Sequence, residues 1–182
     1  MGAVDPSVAA GGVSEDCAKP MTPLEFETYN RLAIMMEKFH GYFRRTWRRL
    51  HHACTASDGS PMITDDQIIR EGLFLSYRLT NHHNVEENSL FPLLARKMPQ
   101  FRGDDALLVE QHRQIHGGLE EFRRYLESCR TRKTRLERRV LRSKTDSWGD
   151  VLLLHLDQEV EMLGAENMKK YWTPEEVLEM PI

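Results

Sequence analysis

Five histidines and two glutamates, His40, His82, Glu86, His112, His116, His155 and Glu159, fall on the apolar stripes of four predicted helices, where side chains point into a core. An unpaired charge buried there costs several kcal/mol even after relaxation, against a total folding stability of typically about 5–15 kcal/mol. Metal binding removes the conflict, because imidazole nitrogens and carboxylate oxygens then share an electron-pair acceptor. A lone histidine on such a stripe reads as a hydrogen-bonded core residue; seven ionisable groups together read as a metal centre.

Spacing narrows the chemistry. His82/Glu86, His112/His116 and His155/Glu159 are each four residues apart, which sets them one turn apart on a shared face with Cβ atoms roughly 5–6 Å from each other. Seven ligands are too many for one tetrahedral zinc and suit two six-coordinate ions with shared carboxylate bridges and an open position. No HExxH motif occurs, and the ExxH element of carboxylate-rich di-iron bundles appears once, as Glu37 to His40, leaving Glu37 a weak rival ligand. The second helix offers a competing pair, His83/Glu87. Steps of three and four from His82/Glu86 meet Leu75, Leu79, Leu90 and Leu93, whereas those from His83/Glu87 meet Leu73, Ser76, Thr80, Leu90 and Leu94, a stripe more polar on its N-terminal side. The first pair is therefore preferred, with His83 and Glu87 flanking the site or facing solvent.

Helices must hold these groups. Thr22-Pro23-Leu24-Glu25 combines an N-cap, a proline at N1 and a capping-box glutamate, so the first helix starts there and runs to about His52. Its inward stripe is Tyr29, Ala33, Met36, His40, Phe43, Trp47 and Leu50. After a polar loop, Thr64-Asp65-Asp66-Gln67 opens a second helix reaching roughly Lys97, with a kink expected at Pro92. A third begins near Asp104 and Asp105 and turns Leu108, His112, His116, Leu119 and Leu126 inward. Gly117 and Gly118 inside it allow close helix approach or mark a kink. The fourth is recognisable from about Ser147, with Trp148, Leu152, His155, Glu159 and Met162 on one side, and Thr173-Pro174-Glu175-Glu176 caps a short C-terminal helix. Strand signals are absent. The expected fold is an all-α, up-down four-helix bundle over residues 21–182, behind a small-residue tail over 1–20 that lacks periodicity and reads as disordered.

One histidine on the first helix, H-x-x-x-E on the second, H-x-x-x-H on the third and a histidine with a downstream carboxylate on the fourth resemble the hemerythrin family. The run His82-His83-Asn84-Val85-Glu86-Glu87-Asn88-Ser89-Leu90-Phe91-Pro92 is similar to that family's histidine, paired-glutamate and Leu-Phe-Pro text. The resemblance implies a non-haem di-iron centre with two iron ions and an oxo or hydroxo bridge. By that likeness His112, His116 and His155 hold one iron, His40 and His82 the other, and Glu86 and Glu159 bridge them. Oxygen-carrying members have an aspartate five residues after the fourth-helix histidine, where this chain has Val160; Glu159 is the available bridge and Glu161 the spare. That departure resembles bacterial and regulatory relatives more than circulating carriers.

The expected function is accordingly a metal-binding protein that takes O₂ or a related gas such as NO at an open iron position. An iron-, oxygen- or redox-responsive regulatory module and a di-iron oxidase of a small organic substrate are the alternatives, with catalysis ranked below ligand binding. Acidic and basic residues nearly cancel, 28 against 25, so the whole-chain charge points neither to nucleic acid nor to a membrane surface. The basic run from Arg130 to Lys144 lacks interleaved aromatics for base stacking and reads as a solvated face. Three cysteines without a CxxC pair, the lack of a secretory pattern and the lack of a membrane-spanning stretch suggest the cytoplasm. A redox or protein partner is not legible.

Overall fold

The computed structural model describes residues 20–55, 63–103 and 106–181. Four long helical arms form an up-down bundle. They are α1 (Pro23–Thr55), α2 (Asp65–Val85) continued by a π-helical turn (Glu86–Leu90) and α3 (Phe91–Leu94), α4 (Leu107–Arg130) and α5 (Arg138–Met162). A 3₁₀ turn (Pro99–Phe101) leads towards α4, and two short helices, α6 (Ala165–Met168) and α7 (Pro174–Leu178), follow α5. α1 packs on α2 and α5, and α4 packs on the same two, closing the bundle. Among the described residues there is no strand, and no helix is long and apolar enough to cross a membrane.

The helix starts obey local chemistry. Thr22 and Glu25 exchange hydrogen bonds between side chain and backbone, as do Thr64 with Gln67 and Thr173 with Glu176, so three capping boxes satisfy amide hydrogens that a helix leaves unpaired. Every residue of the stripe expected on α1 is buried, together with Leu32. The basic run divides: Arg130 ends α4, Arg132 takes a positive φ of 57° in the turn, and α5 starts at Arg138, nine residues before the expected Ser147. The aspartates expected to open the third helix, and most of the N-terminal tail, lie outside the described residues; α4 starts after Ala106 without a side-chain cap.

The second arm departs from a plain kink at Pro92. The Phe91 amide donates to the Glu86 carbonyl, five residues back, so the turn carrying Glu86 is widened by one residue. Proline at the next position offers no amide hydrogen, and the chain resumes α-helix at Phe91.

The core is in two parts. One contains Phe43, Trp47, Leu75, Leu79, Phe122 and Trp148, and the other Leu32, Met36, Leu94, Leu108, Leu163 and Met168. Each long arm passes from one part to the other at its metal-binding candidates: α1 at His40, the second arm between His82 and Glu86, α4 at His112, α5 between His155 and Glu159. α6 and α7 build the far side of the second part through Met168 and Val177.

Gly118 and Gly149 make the bundle tight. A Cβ on Gly118 would stand 2.7 Å from the Trp148 Cβ, and one on Gly149 would overlap the Trp47 indole, whereas Gly117 has nothing within 4 Å. Close approach therefore accounts for Gly118 and not for Gly117.

Candidate metal centre

Between the two apolar parts lies a layer of His40, His83, Glu86, His112, His155 and Glu159, each at most 2 % exposed, with His82 at its edge. Two groups of ligand atoms lie within 4.8 Å of one another: His83, Glu86, His112 and His155 in one, and His40, His82, Glu86 and Glu159 in the other. Glu86 belongs to both. Glu159 also spans the gap, its Oε2 lying 3.2 Å from His40 Nε2 and 3.6 Å from His155 Nε2.

The protons are arranged for cation binding. His40 Nδ1–H donates to the Leu156 carbonyl at 2.9 Å, which leaves Nε2 with a lone pair facing Glu159. His112 Nδ1–H donates to the Glu87 carboxylate at 2.7 Å, and His155 Nδ1–H to Gln111 Oε1 at 3.3 Å. Gln111 in turn donates to Gln158 Oε1 at 2.6 Å, which fixes its amide orientation. His83 Nδ1 is 3.2 Å from His116 Nε2. Outer partners of this kind set the tautomer of a metal-ligating imidazole and raise its basicity.

The inward atoms have no such partners. The Nε2 atoms of His40, His82 and His83 and both oxygens of Glu86 and Glu159 are buried without a hydrogen bond. His82 Nε2 and Glu86 Oε1 are only 2.8 Å apart yet are not aligned as donor and acceptor. Buried polar atoms are almost always hydrogen-bonded, so a convergent set of orphaned lone pairs fits a metal cation.

Electrostatics agree with that donor set. Burial, reinforced by His40 and Arg78, pushes the His82 pKa down to about 3, and burial with the neighbouring imidazoles pushes His112 down to about 3. His83 and His155 lie well below the ordinary histidine range, chiefly through burial. Neutral imidazoles are the form that binds metal. Glu86 is raised by burial and by Glu159 and Glu87; burial also raises Glu159, with His40 working against it. A cation would relieve the penalty on both carboxylates.

Six of the seven residues singled out from the sequence meet here. His116 joins neither group: it is half-buried, beside His83, because the inward face of α4 runs Leu108, His112, Ile115, Leu119, Phe122 and Leu126. Steps of four and three keep that stripe straight, and a second step of four from His112 rotates His116 off it. His82 lies in one group as expected by the helix pattern, and His83, expected to flank the site or face solvent, is buried and lies in the other. Adjacent helical residues diverge by about 100°, so they reach either side of Glu86, one turn away. The signal was present: Leu79, His83, Glu86 and Leu90 continue the buried stripe in steps of four, three and four. Glu37 faces solvent and pairs with Arg44, Glu161 is exposed, and Glu87 serves as the outer partner of His112.

The fold and the layer define a helical-bundle protein built to bind cations with histidine and glutamate. A family model, the hemerythrin HHE cation-binding domain, matches residues 32–165, and the chain belongs to that family. Comparisons with curated proteins and with solved structures gave no match.

Proposed function

We propose that the chain holds two iron ions in this layer and binds O₂ or a related small gas there. The observation that carries the reading is Glu86: its carboxylate is common to both ligand groups, as a bridge between two ions requires. His83, His112 and His155 supply three nitrogens to one position, and His40 and His82 two to the other, with Glu159 the second bridge. The position with fewer nitrogens is the open one, and iron there supplies redox and ligand-binding chemistry. The chain's own contribution is to keep the imidazoles neutral and aimed, through Leu156, Glu87 and Gln111, and to pack apolar side chains along the bundle axis on both sides of the layer.

In this reading His83 takes the third-imidazole place that the family resemblance gave to His116, and His116 positions it from outside. Metal analysis with an optical spectrum tests the assignment. Two irons per chain and charge-transfer bands of a bridged pair are expected, with reversible spectral change on adding and removing O₂ after anaerobic reduction. One tightly held zinc without such bands overturns it. His83→Ala should lose iron from one position, whereas His116→Gln should keep both irons, because glutamine can still accept from His83 Nδ1; iron loss from His116→Gln equal to that from His83→Ala returns His116 to the ligand set.

A further inference from the structure

A cavity of about 680 Å³ opens between α1 and the second arm, directly against His82 and Glu86. A diatomic gas needs on the order of the ~30 Å³ that one liquid water occupies, so this space is on the scale of an organic molecule. Its walls are mainly apolar, with Met35, Phe39, Phe43, Val85, Leu90 and Leu93 contributing. Phe39 and Val85 remain 40 % and 63 % exposed at the mouth, which leaves an apolar entrance open to solvent.

One cation lies on this lining, Arg78. Its guanidinium rests over the Tyr42 and Phe74 rings, 5.4 and 5.8 Å from their centroids, and no carboxylate pairs with it among the described residues. The two rings meet edge to face, at 85° to each other, and cation–π contact with both holds the guanidinium in place while leaving N–H groups for an oxyanion. Glu86, the carboxylate in the lining, sits just over two turns further along and is buried. Arg78 and Leu93 mark the two ends of the lining on this arm, separated by roughly 22 Å at the rise of an α-helix. The cation therefore lies at one end of the lining on this arm and Leu90 and Leu93 at the other, with His82 and Glu86 between them.

We propose that this cavity is a binding site for a single-chain amphiphile with one carboxylate. The carboxylate pairs with Arg78, and the apolar chain runs past His82 and Glu86 towards Leu90 and Leu93. The ligand lies alongside the centre instead of filling a metal position, so the site goes beyond gas binding and does not depend on the identity of the metal.

Calorimetric titration of dodecanoate into the full chain tests this, with iron content measured on the same sample and dodecan-1-ol and acetate as comparison probes. Saturable one-to-one binding of dodecanoate is expected, with dodecan-1-ol weaker and acetate undetected. Arg78→Gln should weaken dodecanoate about tenfold or more and leave dodecan-1-ol unchanged. Val85→Glu, which sets a carboxylate at the mouth, should abolish binding of dodecanoate. Both positions are exposed, so both variants keep the fold and the metal ligands. Dodecanoate binding indifferent to Arg78→Gln but lost on chelation would show the carboxylate on the metal and overturn the assignment. Binding only to vesicles of anionic phospholipid, with none of monomeric dodecanoate, would overturn it too. A sample that binds dodecanoate but contains no iron separates this proposal from the metal reading, which alone would then fail.

Discussion

The Nε2 atoms of His112 and His155 face each other at 3.2 Å, while the Nδ1 hydrogen of each ring is already given to Glu87 and to Gln111. Two lone pairs at that distance repel unless a positive charge lies near both. The outer hydrogen bonds thus decide what the inner atoms can bind.

Removing an outer bond should weaken metal binding without removing a ligand. Glu87→Ala leaves the His112 Nδ1 hydrogen without its carboxylate, and a 10- to 100-fold loss of metal affinity is expected from known outer-partner effects. Glu87→Gln should recover part of it, because an amide oxygen can still accept. Competition with a metal-sensitive chelator reads both; unchanged affinity in Glu87→Ala would show that the 2.7 Å contact does not orient the ring.

Glu86→Leu should separate function from stability. The substitution removes the carboxylate shared by the two ligand groups and two orphaned buried oxygens with it. Metal stoichiometry should fall towards zero, while the metal-free protein becomes more stable by about 1–3 kcal/mol. Denaturant unfolding of chelated wild type and variant measures the second effect, and a destabilised variant would contradict it.

Metal-free protein should lose stability on acidification. His82, His83, His112, His116 and His155 have pKa values below the ordinary 6.5, so as pH falls from 6.5 to about 4.5 the unfolded chain gains protons on five groups ahead of the fold. More protons bound by the unfolded state means stability declines with pH. Glu86 and Glu159, raised above 4.5, act the opposite way across this window, two groups against five. The Tm of chelated protein should therefore fall between pH 6.5 and about 5; a flat or rising Tm would mean that these imidazoles are not held neutral.

Two neighbouring glycines should respond with opposite signs. Gly117→Ala meets open space and should add about 1 kcal/mol through helix propensity. Gly118→Ala drives its methyl into the Trp148 Cβ and ring, rigid atoms that cannot step aside, and should cost about 1–3 kcal/mol. Thermal unfolding of the pair tests whether α4 and α5 meet as closely as described.

Much of the fold and of the site is legible in the sequence alone. The α1 stripe from Tyr29 to Leu50 was readable because one uninterrupted helix keeps one period, and the three capping boxes because Thr and Glu or Gln three apart perform a local task. His116 lies outside both ligand groups because i to i+4 overshoots a full turn by about 40°, a rotation that only the partner helices reveal. The choice between His82 and His83 assumed one inward line, whereas the layer holds two ligand groups and takes one of these histidines into each. The widened turn at Glu86 depends on a carbonyl choosing the fifth residue over the fourth, which side-chain periodicity does not record. The start of α5 was hidden because Arg138 to Lys144 carry mostly solvent-facing charge, with Leu141 one of few apolar marks.

The position of the imidazole and carboxylate layer between two hydrophobic parts also fixes how the helices are aligned lengthwise. Apolar bundles tolerate sliding, because leucine can replace leucine one turn, about 5.4 Å, further along. Here a slide of α4 by one turn would push His112 into the place Leu108 now holds, among Leu94 and Leu163, or draw Leu108 between Glu86 and His155. Either way the polar atoms would lose their counterparts on the other three arms. The layer thus acts as an alignment pin, and the residues that bind the cation also select one vertical setting of four helices from the several that their leucines alone would allow.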